Sequence, residues 1–292
     1  MAAPLKVGVN IVFVKPEAVV RISQAAEQIG YESVWSGEHV ALPKHEGWWK
    51  EYPAVKAAGD AGHEKMVPFK PDTAFLDPMV VLASIAGATS TIRLGIGIYL
   101  LALRTAVLAG RTIASLDVLS NGRLDLAVGL GWTPYEYTFT EQDWAVRARR
   151  MDESIRCLRA LFEEDSPEFH GEFFDFPAIG FKPKPIQTPL PIHIGGSSQA
   201  AVRRAAALGT GWYGGTNFIP AIQQERARLG KADEPFEYSS LSMAGPMARE
   251  ELETMAAAGV SRAVAIPWKS RHPVGLEGID MLEDYAKQIG LL

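Results

Sequence analysis

The chain has 292 residues, of which 47% are hydrophobic and 22% charged. That is an ordinary soluble composition, at a length that one (β/α)8 barrel of about 250 residues can fill. A net charge of -5 supplies no clustered Lys and Arg surface for nucleic-acid phosphates, and Cys157, the single cysteine, excludes an internal disulfide.

Residues 6–13 are apolar and β-branched. Over 16–29, Val19, Val20, Ile22, Ala25, Ala26 and Ile29 fall largely on one helical face before Gly30, so a strand is followed by a helix. Residues 33–36 make a second strand running into Gly37-Glu38-His39, and two strands joined by a crossover helix are a parallel β-α-β unit. Residues 40–74 show no period and hold Trp48 and Trp49. So long a segment reads as a surface insertion or as a lid, and the paired tryptophans favour the lid.

Alternation resumes at Asp77-Pro78, an N-cap with proline just inside the helix. Residues 93–100 form the third strand and 104–119 the next helix. Asn121-Gly122 supplies the positive φ of a helix stop, and 123–128 is the fourth strand. The helix over 152–162 places Cys157 among Ile155, Leu158 and Leu161 as a buried small hydrophobe. Residues 169–184 read as an inserted hairpin whose aromatics serve packing. The remaining strands are 191–196, 211–215, 236–243 and 262–268, with helices from Ser197, around 250–258 and over 278–289. Eight strands alternating with helices select a single (β/α)8 TIM barrel over residues 1–292, with insertions at 40–76 and 167–190. The longest clearly apolar run, 94–103, is too short to span a bilayer, and no apolar signal region opens the chain. The expectation is a cytoplasmic protein acting on neither membrane nor nucleic acid.

The unusual residues collect at the C-terminal strand ends, the face on which barrel enzymes place active sites. Glu38-His39 follows strand two, Gly97-Ile98 ends strand three, Gly129, Gly131 and Trp132 follow strand four, Gly195-Gly196-Ser197 follows strand five, and Gly214-Gly215 follows strand six. Bare backbone at Gly129 and Gly131 leaves room for a flat ligand or marks a turn. Gly195, Gly196 and Ser197 offer free N–H groups and a helix dipole for phosphate, or form a tight turn. His39 beside Glu38 is a candidate for proton transfer or a structural histidine, whereas His193, inside a strand, reads as core. No His or Cys spacing suits a metal, and there is no nucleophile elbow and no P-loop.

The run Glu-Gln-Ile-Gly-Tyr-Glu-Ser-Val-Trp-Ser-Gly-Glu-His over 27–39, residues 92–97, residues 116–132 with Glu136, and residues 191–196 followed by Arg204-Ala-Ala-Ala-Leu-Gly-Thr-Gly-Trp212 resemble the luciferase-like monooxygenase family. More narrowly they resemble its deazaflavin branch, which uses coenzyme F420. The resemblance implies a barrel binding F420 or FMN at its C-terminal face. His39 matches the histidine that exchanges a proton with substrate, and Glu38 the neighbouring acid. Gly97-Ile98 matches the site where the family often carries a non-prolyl cis peptide propping the cofactor ring. Gly195, Gly196 and Ser197 match its phosphate cradle, and Gly214-Gly215 a second backbone approach. Trp132 stands where the sugar-phosphate dehydrogenases of this branch place a catalytic glutamate, which argues against that substrate.

The expected activity is hydride transfer between the deazaflavin and a small organic substrate. The alternatives are a two-component monooxygenase using reduced FMN and oxygen, and a flavin-binding barrel without turnover. A flavin or F420 reductase is the implied partner, and the family commonly forms homodimers.

Overall fold

The computed structural model describes residues 4–44, 71–242, 245–268 and 273–292. Residues 45–70 of the expected lid, with Trp48 and Trp49, lie outside the described residues. Eight parallel strands close a barrel: β1 (Lys6–Asn10), β2 (Ser33–Ser36), β3 (Arg93–Tyr99), β4 (Leu124–Val128), β7 (Ile192–Gly195), β8 (Gly211–Tyr213), β9 (Glu237–Leu241) and β10 (Arg262–Ala265). Their order around the ring is β1-β10-β9-β8-β7-β4-β3-β2. β5 (Phe169–His170) and β6 (Asp175–Phe176) pair antiparallel as the expected hairpin. This is the (β/α)8 barrel that the strand and helix alternation predicts.

The outer ring holds α1 (Val19–Ile29), α2 (Pro78–Ala86), α3 (Ala106–Leu119), α4 (Pro134–Phe139), α5 (Arg147–Glu163), α6 (Gln199–Leu208), α7 (Ile219–Arg228), α8 (Arg249–Ala257) and α9 (Gly278–Ile289). Their ends follow local chemistry. Asp77 accepts the Met79 and Val80 N–H groups ahead of α2, and Asn121 and Gly122 take φ of 56° and 76° after α3, where a short polar side chain and glycine tolerate the left-handed region. α5 begins five residues before the expected start, because Arg147, Ala148, Arg149 and Arg150 are good helix formers and Met151 extends the buried face by one turn. α4 and α7 have no counterpart among the expected elements. Among the residues of α7 only Ile219, Ile222 and Arg226 are buried, too sparse a stripe to show periodicity.

The barrel interior is layered. At the N-terminal end Arg262, fully buried, pairs with both oxygens of Glu32 at 2.7 Å and with Glu237 at 3.1 Å and Asp125 at 3.4 Å. Arg93 holds Asp125 through two bonds of 2.7 and 2.8 Å, and Lys6 holds Glu237 at 2.6 Å. Burial alone would raise the Asp125 carboxyl, but Arg262, His193 and Arg93 outweigh it and hold the group far below the usual carboxylate range. Above this ionic layer Trp35 stacks on Tyr213 with centroids 4.9 Å apart, together with Ala127 and Val264. Gly95 makes the room: a Cβ there would lie 2.1 Å from the Trp35 ring.

Glu27 ties α1 to the turn before β3. Its Oε1 accepts the N–H groups of Ser90, Thr91 and Ile92 at 2.8, 2.6 and 3.0 Å and the Thr91 hydroxyl at 3.0 Å. Burial pushes this carboxyl up, but the four donors prevail and bring it from 4.5 to about 2. A depressed folded pKa contributes stability that is complete above the unfolded value and disappears as pH falls through the folded one. Glu27→Gln is therefore expected to cost about 1 kcal/mol at pH 7, with the gap to wild type closing between pH 4.5 and about 2. Urea denaturation of both proteins across that range checks it, and a constant gap would assign the effect to something other than the charge.

Candidate active site

Above the Trp35–Tyr213 layer the C-terminal strand ends open into a cavity of about 680 Å³. It takes lining residues from the ends of β1, β2, β3, β4, β7 and β9 and from α5 and α6. His39, Glu38, Gly97, Ile98, Gly129, Gly131, Trp132, Gly195, Gly196 and Ser197 all lie in its wall. Gly214 and Gly215 are not among the lining residues. A Cβ at Gly214 would strike the Trp212 indole at 2.7 Å, and Gly215 accepts the Trp212 Nε1–H at 3.2 Å, so both glycines serve the packing of Trp212.

The carboxylate that meets His39 is Glu136, 97 residues away. Its two oxygens each lie 3.2 Å from His39 Nδ1, and Oε1 also accepts the Val40 N–H at 2.7 Å. Glu136 is 1% exposed. It is delivered by α4, which starts at Pro134 behind the Thr133 N-cap and is fastened by the Tyr137 hydroxyl donating to Leu130 O at 2.7 Å. The His39 ring is walled edge-on by Phe75 and Trp132, with centroids 5.0 and 5.3 Å away. Glu136 belongs to the set of residues that carries the family resemblance, but adjacency in sequence points to Glu38, and only the fold brings Glu136 across.

Glu38 is committed elsewhere. Both its oxygens engage the Arg104 guanidinium and Oε2 accepts the Leu100 N–H at 2.7 Å. Burial pushes the Glu38 carboxyl up against the pull of Arg104 and of that N–H, while Arg104, lowered by burial, is raised overall by Glu38. This pair clamps the end of β2 to the segment after β3, a positioning task that leaves no carboxylate oxygen of Glu38 unbonded.

The floor is set by the end of β3. The Gly97–Ile98 peptide is cis, as the resemblance implies, and the β3–β4 register shifts between Gly97 and Tyr99. A Cβ at Gly129 would lie 2.8 Å from Ile98 Cγ2 and one at Gly195 2.0 Å from Ile98 Cδ1. The absent side chains at Gly129 and Gly195 therefore make room first for Ile98, which then forms part of the cavity surface. Gly131, at φ 69°, turns the chain so that Trp132 reaches the wall.

On the β7 side, Gly196 at φ 152° leads into Ser197 and Ser198, and Ser198 caps α6 by accepting the Ala201 N–H at 3.2 Å. Arg204, paired with Asp152, and Arg147, stacked 3.7 Å over Trp144, line the same end. Hydroxyls, a helix N-terminus and two guanidinium groups together suit a phosphate. Among the described residues one group has metal-like spacing, Asp125, His193 and Glu237, with ligand atoms within 4.8 Å. Its carboxylates already bind Arg93, Arg262 and Lys6, so it belongs to the ionic layer. His193 is 1% exposed, in the core as expected. Cys157 is fully buried with its thiol pushed up to about 12 by burial and by Glu153, a packing residue. No helix among the described residues is long and apolar enough to cross a membrane.

The sequence profile of luciferase-like monooxygenases matches residues 5–244. The uncharacterized protein Rv0940c of Mycobacterium tuberculosis is 31% identical over 230 residues, 77% of this chain and 76% of that protein. The FMNH(2)-dependent dimethylsulfone monooxygenase of Pseudomonas putida is 34% identical over 122 residues, 40% of this chain and 34% of its own. Among solved structures, an F420-dependent secondary alcohol dehydrogenase in complex with an F420-acetone adduct superposes with a TM-score of 0.76 at 16% identity, covering 98% of this chain and 99% of the other. At that identity the likeness is one of fold.

A Cβ at Gly97 would lie 2.4 Å from Tyr213 Cζ, and the Tyr213 ring, buried and stacked on Trp35, would have to shift. Gly97→Ala is expected to destabilise the protein by about 1–3 kcal/mol through overpacking. Gly97→Ala combined with Tyr213→Leu should recover part of the loss, as read by urea denaturation of the single and double variants.

Proposed function

The chain belongs to the luciferase-like monooxygenase family of oxidoreductases, and on that premise we propose that it is a coenzyme F420-dependent oxidoreductase acting on a small organic substrate, with His39 as proton donor and acceptor. The observation that carries the reading is the His39–Glu136 pair, held in the same cavity as the Ser197–Ser198 anion cradle. A bound deazaflavin supplies two-electron hydride chemistry. The protein supplies position, a dry surface and a matched proton.

Gly195, Gly196 and Ser197, backed by Arg204 and Arg147, would hold the cofactor phosphate. Gly97 and Ile98 would support the ring, with Gly129, Gly131 and Trp132 along it. Leu100 and Leu130 complete an apolar wall of the kind that lines cofactor sites. In the neutral imidazole, Nδ1–H donates to Glu136, which assigns the lone pair to Nε2; in the imidazolium, Nε2–H is the donor. Glu136 thus fixes the tautomer and aim of the ring. Proton exchange with the substrate runs through Nε2, and Glu38 contributes through its clamp on Arg104 and Leu100, not by proton transfer.

The second reading, a monooxygenase using reduced FMN and oxygen, draws on the 34% identity to the dimethylsulfone monooxygenase. Titration of the purified protein with F420 and with FMN, each oxidised and reduced, separates the two. At least tenfold preference for the deazaflavin, about 1.4 kcal/mol, is expected; preference for reduced FMN with oxygen uptake would replace the first reading by the second. His39→Ala is expected to leave cofactor affinity within about twofold while lowering turnover on a panel of ketones and secondary alcohols by roughly 10²–10⁴. Unchanged turnover would remove His39 from the chemistry.

A further inference from the structure

The cavity has a polar group that neither the cofactor cradle nor the proton-transfer pair uses. Asn10, the last residue of β1, is 2% exposed and lines the cavity. Its Oδ1 accepts the Val12 N–H at 2.9 Å. Because the partner is a backbone donor, the bond also fixes which end of the amide is which, so the Nδ2 group carries both remaining donors. Among the described residues no acceptor meets Nδ2. The Nδ2 atom is not fully enclosed; on a residue that lines the cavity it can donate to a ligand oxygen there.

Topology says which part of a ligand that donor would meet. In the closed ring β1 and β7 are four places apart in either direction, so Asn10 faces the Ser197–Ser198 cradle across the full barrel mouth. The path from the cradle to Asn10 crosses the ends of β4, β3 and β2, that is, the Gly97–Ile98 floor and then His39. Asn10 pairs in register with Trp35 of β2, and Val12 Cγ2 is 2.9 Å from the Cβ position of Gly37. Asn10 and His39 therefore stand on neighbouring strand ends. Among the described residues, Val12, Phe75 and Leu241 give that end an apolar lining beside the Arg104-paired Glu38, while Arg147 and Arg204 lie at the cradle.

We propose that Asn10 is a specificity-determining residue, its Nδ2–H donating to the carbonyl or hydroxyl oxygen of a compact, uncharged ketone or secondary alcohol whose oxygen also lies within reach of His39. The assignment of this end to substrate rests on the cofactor reading above. An amide donor suits a neutral oxygen; a carboxylate would call for a cation, and among the described residues the charged lining groups are paired at Glu38 or lie at the cradle. A donor in an apolar wall also rejects an isostere that lacks the oxygen, because that isostere leaves the amide unsatisfied.

The chain contains three asparagines, Asn10, Asn121 and Asn217, so protein labelled with 15N-asparagine gives three side-chain amide signals. Asn10→Leu identifies the signal of interest; Asn121→Asp and Asn217→Asp identify it by elimination if that variant fails to fold. Acetone, cyclohexanone and methylenecyclohexane, in which CH2 replaces the oxygen, are titrated into the protein with and without F420. The expected result is a saturable shift of the Asn10 amide with the two ketones, none with methylenecyclohexane, and about tenfold weaker cyclohexanone binding to Asn10→Leu or, in its place, Asn10→Asp. Equal shifts with cyclohexanone and methylenecyclohexane, or no shift with either ketone, would overturn the proposal. So would saturation of the Asn10 shift by F420 alone, which would make Asn10 a cofactor contact. If neither F420 nor FMN binds, the cofactor reading fails, and the ketone titration of the cofactor-free protein still decides the role of Asn10.

Discussion

Arg262 is the residue around which the barrel closes. Its guanidinium, withdrawn from water, reaches Glu32 ahead of β2, Asp125 on β4 and Glu237 on β9, and its cation lies 5.5 Å from the Trp35 ring. With Arg93 and Lys6 it balances three carboxylates by three cations in one stratum. Burying charge is unfavourable unless each group is paired, and removing one member of such a set costs about 3–5 kcal/mol because the others stay buried and unmatched. The stratum therefore specifies which strands meet at the bottom of the barrel. It also makes that end solid, so the vacant volume lies at the opposite end.

The cavity is shaped from beneath by what rests on that stratum. Trp35 fills the space above Arg262, Gly95 gives way to Trp35, Tyr213 stacks on it, and Gly97 gives way to Tyr213. Ile98 then emerges between Gly129 and Gly195 as part of the floor. Each glycine is explained by the bulky neighbour it accommodates. Polar groups are laid around this floor: a serine-capped helix N-terminus after β7, a carboxylate-held imidazole after β2 and an amide donor on β1.

Two carboxylates near His39 have been given different tasks by their surroundings. Glu38, next in sequence, is neutralised by Arg104 and ties two strand ends together. Glu136, remote in sequence, faces the imidazole and the Val40 N–H. A family resemblance carries residue identities, and here it brought His39, the cis Gly97–Ile98 peptide and the Gly195–Ser197 turn to one face. It did not distribute the roles of the acids, since those follow from side-chain partners.

The sequence by itself determined the eight-strand alternation, the hairpin and the helix stops at Gly30 and Asn121-Gly122, because period, capping and backbone preference are local properties. It likewise placed His39, Gly97, Gly129 and Gly195 at strand ends, where the barrel brings them to one rim. It missed α4 and α7, whose few apolar residues make no period, and it did not show that Gly129 and Gly195 also admit Ile98 or that Gly214 and Gly215 pack against Trp212. Only the tertiary structure joined His39 to Glu136, paired Glu38 with Arg104, and set Asn10 across the mouth from Ser197. Each of these is a meeting of residues far apart in the chain or a choice among competing partners, and such choices are settled by burial, because a charge withdrawn from water is costly unless it is paired.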